Sequence, residues 1–211
     1  MDARSYDDPC GVARALDVVG SRWALLVVRE LLLGPKRFGD LLRGLDGMSP
    51  NVLSQRLTEL QKAGLVRRDR LGPPSSTLVY GLTEEGAALE PVLIALGRWG
   101  RRRPQQAQGP MSPDALLLAL RTTFDPAKAG DLELEIDLHL AEDRVAVTVA
   151  DGRLEITRRA VRDPAAVVSG DVAAVRSMVY RAGSVANVVA ARSVDIQGDR
   201  VAVQRFVDAL R

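Results

Sequence analysis

Four side chains, Asn51, Gln55, Thr58 and Lys62, recur at steps of three or four residues within "SPNVLSQRLTELQK". That spacing stacks them along one face of an α-helix. Amide, hydroxyl and ammonium groups in such a row can hydrogen-bond base edges and phosphates, and Gln or Asn in a major groove can hold adenine through two bonds. A solvated helix face carries the same residue types, so the row alone leaves both readings open. Just beyond it, "LVRRDRL" carries Arg67, Arg68 and Arg70 in a β-rich run, charged suitably for phosphate contact. Other chemistry is sparse. The single histidine, His139, shares the charged side of an alternating run with Glu133, Glu135 and Asp137, an arrangement expected of a wet strand face. No phosphate loop, nucleophile elbow or thiolate cluster is present. We therefore expect neither an enzyme nor a cofactor or metal site.

The elements that must hold the polar row follow from periodicity. Ser49 can cap the first turn and Pro50 suits the first helical position, having no N–H to lose, which explains a sharp helix start. Leu53, Leu57 and Leu60 lie on the face opposite the row and must be buried. Upstream, "SRWALLVVRELLLG" has Trp23, Leu26, Val27, Leu31 and Leu33 near helical spacing and stops at Gly34-Pro35. "RFGDLLRGLDG" reads as a shorter helix with Phe38, Leu41, Leu42 and Leu45 on one side, closed by Asp46-Gly47. Downstream, "LVRRDRL" and "TLVYGLT" are joined by "GPPSS" into a hairpin. Helix, turn, helix and basic hairpin make a winged helix-turn-helix. "EEGAALEPVLIALGRWG" then predicts one more helix, capped by Thr83, with Ala88, Val92, Leu93, Leu96 and Trp99 along a stripe.

Length and charge fit a two-part chain. The 211 residues suffice for two modest domains, and 46% apolar content is ordinary for a globular protein. Residues 1–103 carry 16 basic against 12 acidic side chains, and the remainder 13 against 15. The first half is thus the part suited to a polyanion. Between them "RRRPQQAQGPMSP" lacks apolar periodicity, and we expect domains at 1–103 and 112–211 joined by a linker at 104–111. No run approaches a membrane span, and the N-terminus lacks a signal peptide's order, so a cytoplasmic protein with no membrane contact is expected. A lone cysteine, Cys10, permits no internal disulfide. Only Lys36, Lys62 and Lys128 are lysine among 29 basic residues, a bias that suggests a GC-rich bacterial genome.

The stretch from Cys10 to Arg68, followed by "YGLTEEG" and a closing helix, resembles the HxlR-type bacterial transcriptional regulators across residues 10–100. The Cys, the "RW" before a Leu-rich helix, "LSQRLTELQKAGLV" and "LTEEG" carry the likeness in that order. The resemblance implies a homodimer that sets two reading helices in successive major grooves of a pseudo-palindromic operator in double-stranded DNA. Half-sites would then lie about 10 base pairs, roughly 34 Å, apart. It puts Ser49, Asn51, Ser54, Gln55 and Arg56 on or beside the reading helix, and the wing arginines near the backbone. It also implies a dimer interface from the first and last helices, through Val12, Leu16, Val92, Leu96 and Trp99. One departure is the hairpin tip, Pro73 to Ser76, which carries no charge.

In the second half, Ser112-Pro113 repeats the cap-and-proline start and opens the helix "DALLLALRTTF". "LELEIDLHL" and "RVAVTVA" alternate, and Asp151-Gly152 turns into "RLEIT", giving three antiparallel strands. A strand "AAVVSGD", a helix, a second helix from near Ser184, a strand "SVDIQ" and an amphipathic final helix complete an α+β order. This resembles the sterol-carrier-protein-like domains over residues 112–211, in which a helix-covered, mostly antiparallel sheet encloses an apolar tunnel. The resemblance implies a hydrophobic small-molecule effector lined by Leu134, Ile136, Val147, Met178, Val179, Val189 and Phe206. A tunnel holding an eight-carbon chain gains roughly 6 kcal/mol before entropy costs. The alternative is that the same residues fill a solid core.

The expected function is a dimeric DNA-binding regulator controlled by that effector. Two alternatives stay open. Some HxlR-type regulators sense oxidants through a cysteine placed like Cys10, where Asp7 and Asp8 disfavour the thiolate and Arg14 favours it. Otherwise the chain is a lipid-carrying or interaction module that uses its winged helix only to dimerise.

Overall fold

A computed structural model describes residues 5–72, 76–104, 109–180 and 185–211. The chain divides into two compact units at Leu93–Ile94. The break falls inside a helix, ahead of the expected linker at 104–111, of which residues 105–108 lie outside the described residues.

The first unit opens with α1 (Gly11–Val19), α2 (Ala24–Leu31), α3 (Phe38–Gly44) and α4 (Pro50–Lys62). Helix α2 buries Ala24, Val27, Val28 and Leu31, while Leu26, one of the helically spaced apolar residues, is exposed. Strands β1 (Val66–Arg70) and β2 (Leu78–Leu82) pair antiparallel from Val66↔Leu82 to Arg70↔Leu78. The turn after α2 adds a single bridge to this ribbon. Lys36 N–H donates to Tyr80 O and Tyr80 N–H to Lys36 O, both at 2.8 Å. Thr83 then caps α5 (Glu84–Ala87) by accepting from Gly86 N–H at 3.1 Å. Gly86 itself cannot be replaced without a shift, because a Cβ there would strike the Leu65 carbonyl.

Where one last helix was expected, there are two. After α5 the chain turns, and α6 spans Glu90–Gly100. Pro91 explains the break, since it supplies no N–H and its ring collides with the carbonyl four residues before it.

The second unit takes the remainder of α6 and adds α7 (Pro113–Thr123), α8 (Pro126–Ala129), β3 (Leu134–Leu140), β4 (Asp143–Ala150), β5 (Arg153–Thr157), β6 (Ala166–Gly170), α9 (Val172–Tyr180), α10 (Val185–Ala190), β7 (Val194–Gly198) and α11 (Arg200–Asp208). The expected second helix start at Ser184 lies outside the described residues. Strand order is β5-β4-β3-β6-β7, antiparallel except where β3 runs parallel to β6. Leu134, Ile136, Leu138 and Leu140 line one face with Val145, Val147, Val149, Ile156, Val168 and Ile196, all buried. Leu116, Leu117 and Leu120 of α7 and Val203, Phe206 and Val207 of α11 are buried with them. Asp114, 1% exposed, is held by a two-pronged bond from Arg158 at 2.9 and 3.1 Å. Burial alone would lower the Arg158 pKa, yet the hydrogen bond and charge of Asp114, with those of Asp143, carry it above its ordinary value. Among the described residues no helix is long and apolar enough to cross a membrane.

Candidate nucleic-acid interface

Helix α4 starts where Ser49 Oγ accepts from Val52 N–H at 3.4 Å and Pro50 occupies the first turn. Its inner face is fixed by Leu53, Leu57 and Leu60, each 2% exposed or less. Burying three leucines stabilises this orientation by about 1.5–3 kcal/mol each. The outer face is therefore set rigidly, and on it Asn51, Ser54, Gln55, Thr58 and Lys62 are all exposed.

The hydrogen bonds sort these side chains. Thr58 Oγ1 donates to Ser54 O at 2.9 Å, which turns its hydroxyl proton back to the helix. Gln55 Nε2 donates to Glu59 Oε1 at 2.9 Å. Asn51, Ser54 and Lys62 project from the same face. Arg56 behaves otherwise: Nη1 donates to Ser21 Oγ at 2.6 Å and pairs with Glu59 Oε2, and the side chain is 12% exposed. Arg56 thus sits beside the exposed outer face rather than on it. Glu59, which sequence reasoning passed over, lies on that face and receives both Gln55 and Arg56. The signal was present, since position 59 falls three and four residues after them.

On the wing, Arg67, Arg68 and Arg70 are exposed. Arg67 Nε donates to Leu82 O at 3.1 Å and its Nη1 pairs with Asp69 at 3.4 Å, so part of its charge is already matched. Arg70 reaches Ser76 Oγ at 3.4 Å. The rest of the uncharged tip, Pro73 to Ser75, lies outside the described residues.

Of the other expected residues, Val12 and Leu16 on α1 and Val92, Leu96 and Trp99 on α6 are exposed, Val12 by 67% and Trp99 by 60%. Arg103 lies 5.9 Å from the Trp99 ring. Leu134, Ile136, Val147, Met178, Val179 and Phe206 are buried, and Val189 is half-buried. Cys10 is exposed at the start of α1, its N–H donating to Asp8 Oδ1 at 2.8 Å.

His139 is not the solvated side chain expected. Its Nε2 lies 2.8 Å from Asp137 Oδ2, and Nδ1 lies 3.4 Å from Ser169 Oγ, on the strand paired beside it. Sequence could not show Ser169 there, because the β3–β6 pairing joins residues 30 apart. Among the described residues no group of three or more His, Cys, Asp or Glu side chains is placed to hold a metal ion.

Comparison with known proteins finds two families along the chain. Residues 18–108 match the HxlR-like helix-turn-helix family, and residues 104–211 match a family described as alkyl sulfatase C-terminal. The HTH-type transcriptional regulator YvaP of Bacillus subtilis is 38% identical over 86 residues, 41% of this chain and 80% of YvaP. The HTH-type transcriptional regulator sll1512 of Synechocystis is 36% identical over 91 residues, 43% of this chain and 67% of the relative. Among solved structures, the reduced form of the regulator YodB from B. subtilis is 30% identical, covers 48% of this chain and all of that one, and superposes with a TM-score of 0.41.

Proposed function

The chain belongs to the HxlR-like helix-turn-helix transcriptional regulators through residues 18–108 and to the alkyl sulfatase C-terminal family through residues 104–211, and from that premise we propose a homodimeric DNA-binding regulator whose second unit takes up a hydrophobic small molecule. The observation that carries the DNA reading is the outer face of α4. Asn51, Ser54, Gln55 and Lys62 stand exposed on a helix locked by three buried leucines, with the wing arginines following in sequence. Bases are read from the helix and phosphates from the wing and from Lys62.

Homodimerisation is supported by the exposed apolar side chains of α1 and α6. Five large apolar groups left in water, Val12, Leu16, Val92, Leu96 and Trp99, are the kind of surface that a second copy covers. Two reading helices related by a two-fold axis would meet a pseudo-palindromic site with half-sites about 10 base pairs apart. The sterol-carrier-like reading of the second unit draws support from its mostly aliphatic interior, and a family named for alkyl sulfatases suits a ligand with an alkyl chain. Coupling of about 1–3 kcal/mol between ligand and operator would change DNA affinity by about 5- to 150-fold.

The test is fluorescence anisotropy with the DNA upstream of the protein's own gene, for wild type and Gln55→Ala. Specific binding that weakens in the variant is expected. Equal affinity for that DNA and for random DNA in both proteins would leave the lipid-carrying module as the better reading. Control through Cys10 is favoured by the exposure of that thiol; it requires that Cys10→Ser abolish a diamide response, and an unchanged response removes it.

A further inference from the structure

The second unit carries an open cleft of about 470 Å³ lined by Arg98, Arg101, Arg102, Thr122, Thr123, Phe124, Asp125 and Pro126. Its construction begins with Gly97. A Cβ at that position would lie 3.1 Å from Thr122 Cγ2, so the glycine lets the end of α6 approach the end of α7 closely. Arg98 Nε then donates to Thr122 O at 3.3 Å, anchoring the guanidinium over the last turn of α7 while its two terminal nitrogens stay available. Arg101 stands 6.0 Å from the centre of the Tyr180 ring, and the Tyr180 hydroxyl lies 3.4 Å from Thr123 Oγ1. Among the described residues no carboxylate forms an ion pair with Arg98, Arg101 or Arg102. The one acid in the wall, Asp125, is occupied as the cap of α8, accepting from Ala127 N–H at 3.0 Å.

Three guanidinium groups against one engaged carboxylate leave an excess of positive charge in a concave site. The volume is in the range that holds a small organic molecule. Guanidinium is the side chain suited to planar or tetrahedral oxyanions, because it presents paired N–H donors in a fixed fork. The floor of the cleft is of a different character: Phe124, 9% exposed, and the Pro126 ring offer an apolar surface beside the arginines.

We propose that this cleft binds a small organic oxyanion, a carboxylate or phosphate carried on a short apolar body, with Arg98, Arg101 and Arg102 on the anion and Phe124 and Pro126 against the body. The site uses none of the residues assigned to DNA and stands whether or not the regulator reading holds.

Isothermal titration of the full chain with octyl phosphate, octanoate, inorganic phosphate and octan-1-ol tests it. At least one of the two charged amphiphiles is expected to bind about tenfold tighter than octan-1-ol, and the tighter of them assigns the head group as phosphate or carboxylate. Arg101→Gln and Arg102→Gln should each weaken that binding about tenfold, the size of one lost charge-assisted bond. Arg102 has an exposed side chain, so its variant keeps the test valid if Arg101→Gln folds poorly. Unchanged affinity in Arg102→Gln, or equal binding of octan-1-ol and both charged probes, overturns the proposal. Inorganic phosphate binding as tightly as octyl phosphate would overturn the apolar part of it. Anisotropy on the same samples reports DNA affinity separately, so a failure of the cleft is distinguishable from a failure of the regulator.

Discussion

Arg56 Nη1 donates a 2.6 Å hydrogen bond to Ser21 Oγ, tying the middle of α4 to the turn ahead of α2. Glu59 closes the arrangement from the next turn of α4. An arginine with the charge and position of a DNA contact is here a strut. Arg56→Ala is expected to lower stability by about 1–3 kcal/mol, as for a lost charged hydrogen bond, visible in a thermal melt. Its DNA affinity should fall while base preference is kept. A wild-type melt combined with altered base preference would return Arg56 to the reading face.

Gln55 and Arg68 should fail differently. In the proposed mode Gln55 reads a base edge, so for Gln55→Ala affinity should drop by about 1–3 kcal/mol for the preferred base at one operator position and little for others. Arg68, an exposed wing cation, contacts phosphate in the proposed mode. Arg68→Ala should weaken binding to all sequences alike and reduce the salt slope by about 1. Anisotropy across a salt series with single-base operator variants separates the two patterns.

Gly44 is fixed by a neighbour 14 residues before it. The buried carboxylate of Glu30, paired with Arg29 at 2.8 Å and Lys36 at 3.0 Å, fills the space a side chain at position 44 would need. Helix propensity alone favours Ala over Gly by about 1 kcal/mol. Gly44→Ala should nonetheless destabilise, by about 1–3 kcal/mol, because either the ion-pair cluster or α3 must move. A denaturant melt showing equal or greater stability would disprove the crowding.

Tyr180 should titrate late. Burial raises its pKa, and this outweighs the opposing pull of the Thr123 hydrogen bond and of Arg101 and Arg176. The group is neutral when buried and its folded pKa lies above the ordinary 10.0. Its contribution to stability is therefore complete below that value and is lost as pH rises through the folded pKa. An alkaline absorbance titration of wild type minus Tyr180→Phe should show a component above the ordinary tyrosine range. A difference curve centred at the ordinary value would contradict it.

The exposed apolar stripes supply a fifth test. Leu16→Glu or Trp99→Glu should shift the protein towards monomer in light scattering and weaken operator binding in step. A variant that stays dimeric with the mass of wild type would move the interface elsewhere.

Much of the first unit was legible because its signals are local. Ser49-Pro50, the leucine spacing of α4 and Asp46-Gly47 each act within a few residues, and the helices formed where they point. The break at Pro91 was legible in principle but was outweighed by a long apolar stripe. What stayed hidden depends on pairs distant in sequence. Arg56 with Ser21, and His139 with Ser169, meet only after the fold is formed, and no periodicity along one segment reports them. The cleft near Tyr180 was invisible for the same reason: its arginines end one helix and its threonines another, and their close approach at Gly97 joins residues 25 apart.

The bridge between Lys36 and Tyr80 has a mechanical meaning. Two backbone bonds pin β2 to the turn between α2 and α3, and Lys36 Nζ is itself pinned to the buried Glu30 carboxylate. A ribbon fastened at that point has no independent hinge at its base, so its arginines must travel with the body of the first unit. In the proposed dimer, tightening or loosening of the grip on a double helix would then be a matter of where each whole first unit is aimed, with stiffness inside it converting a small rotation into a full loss of register.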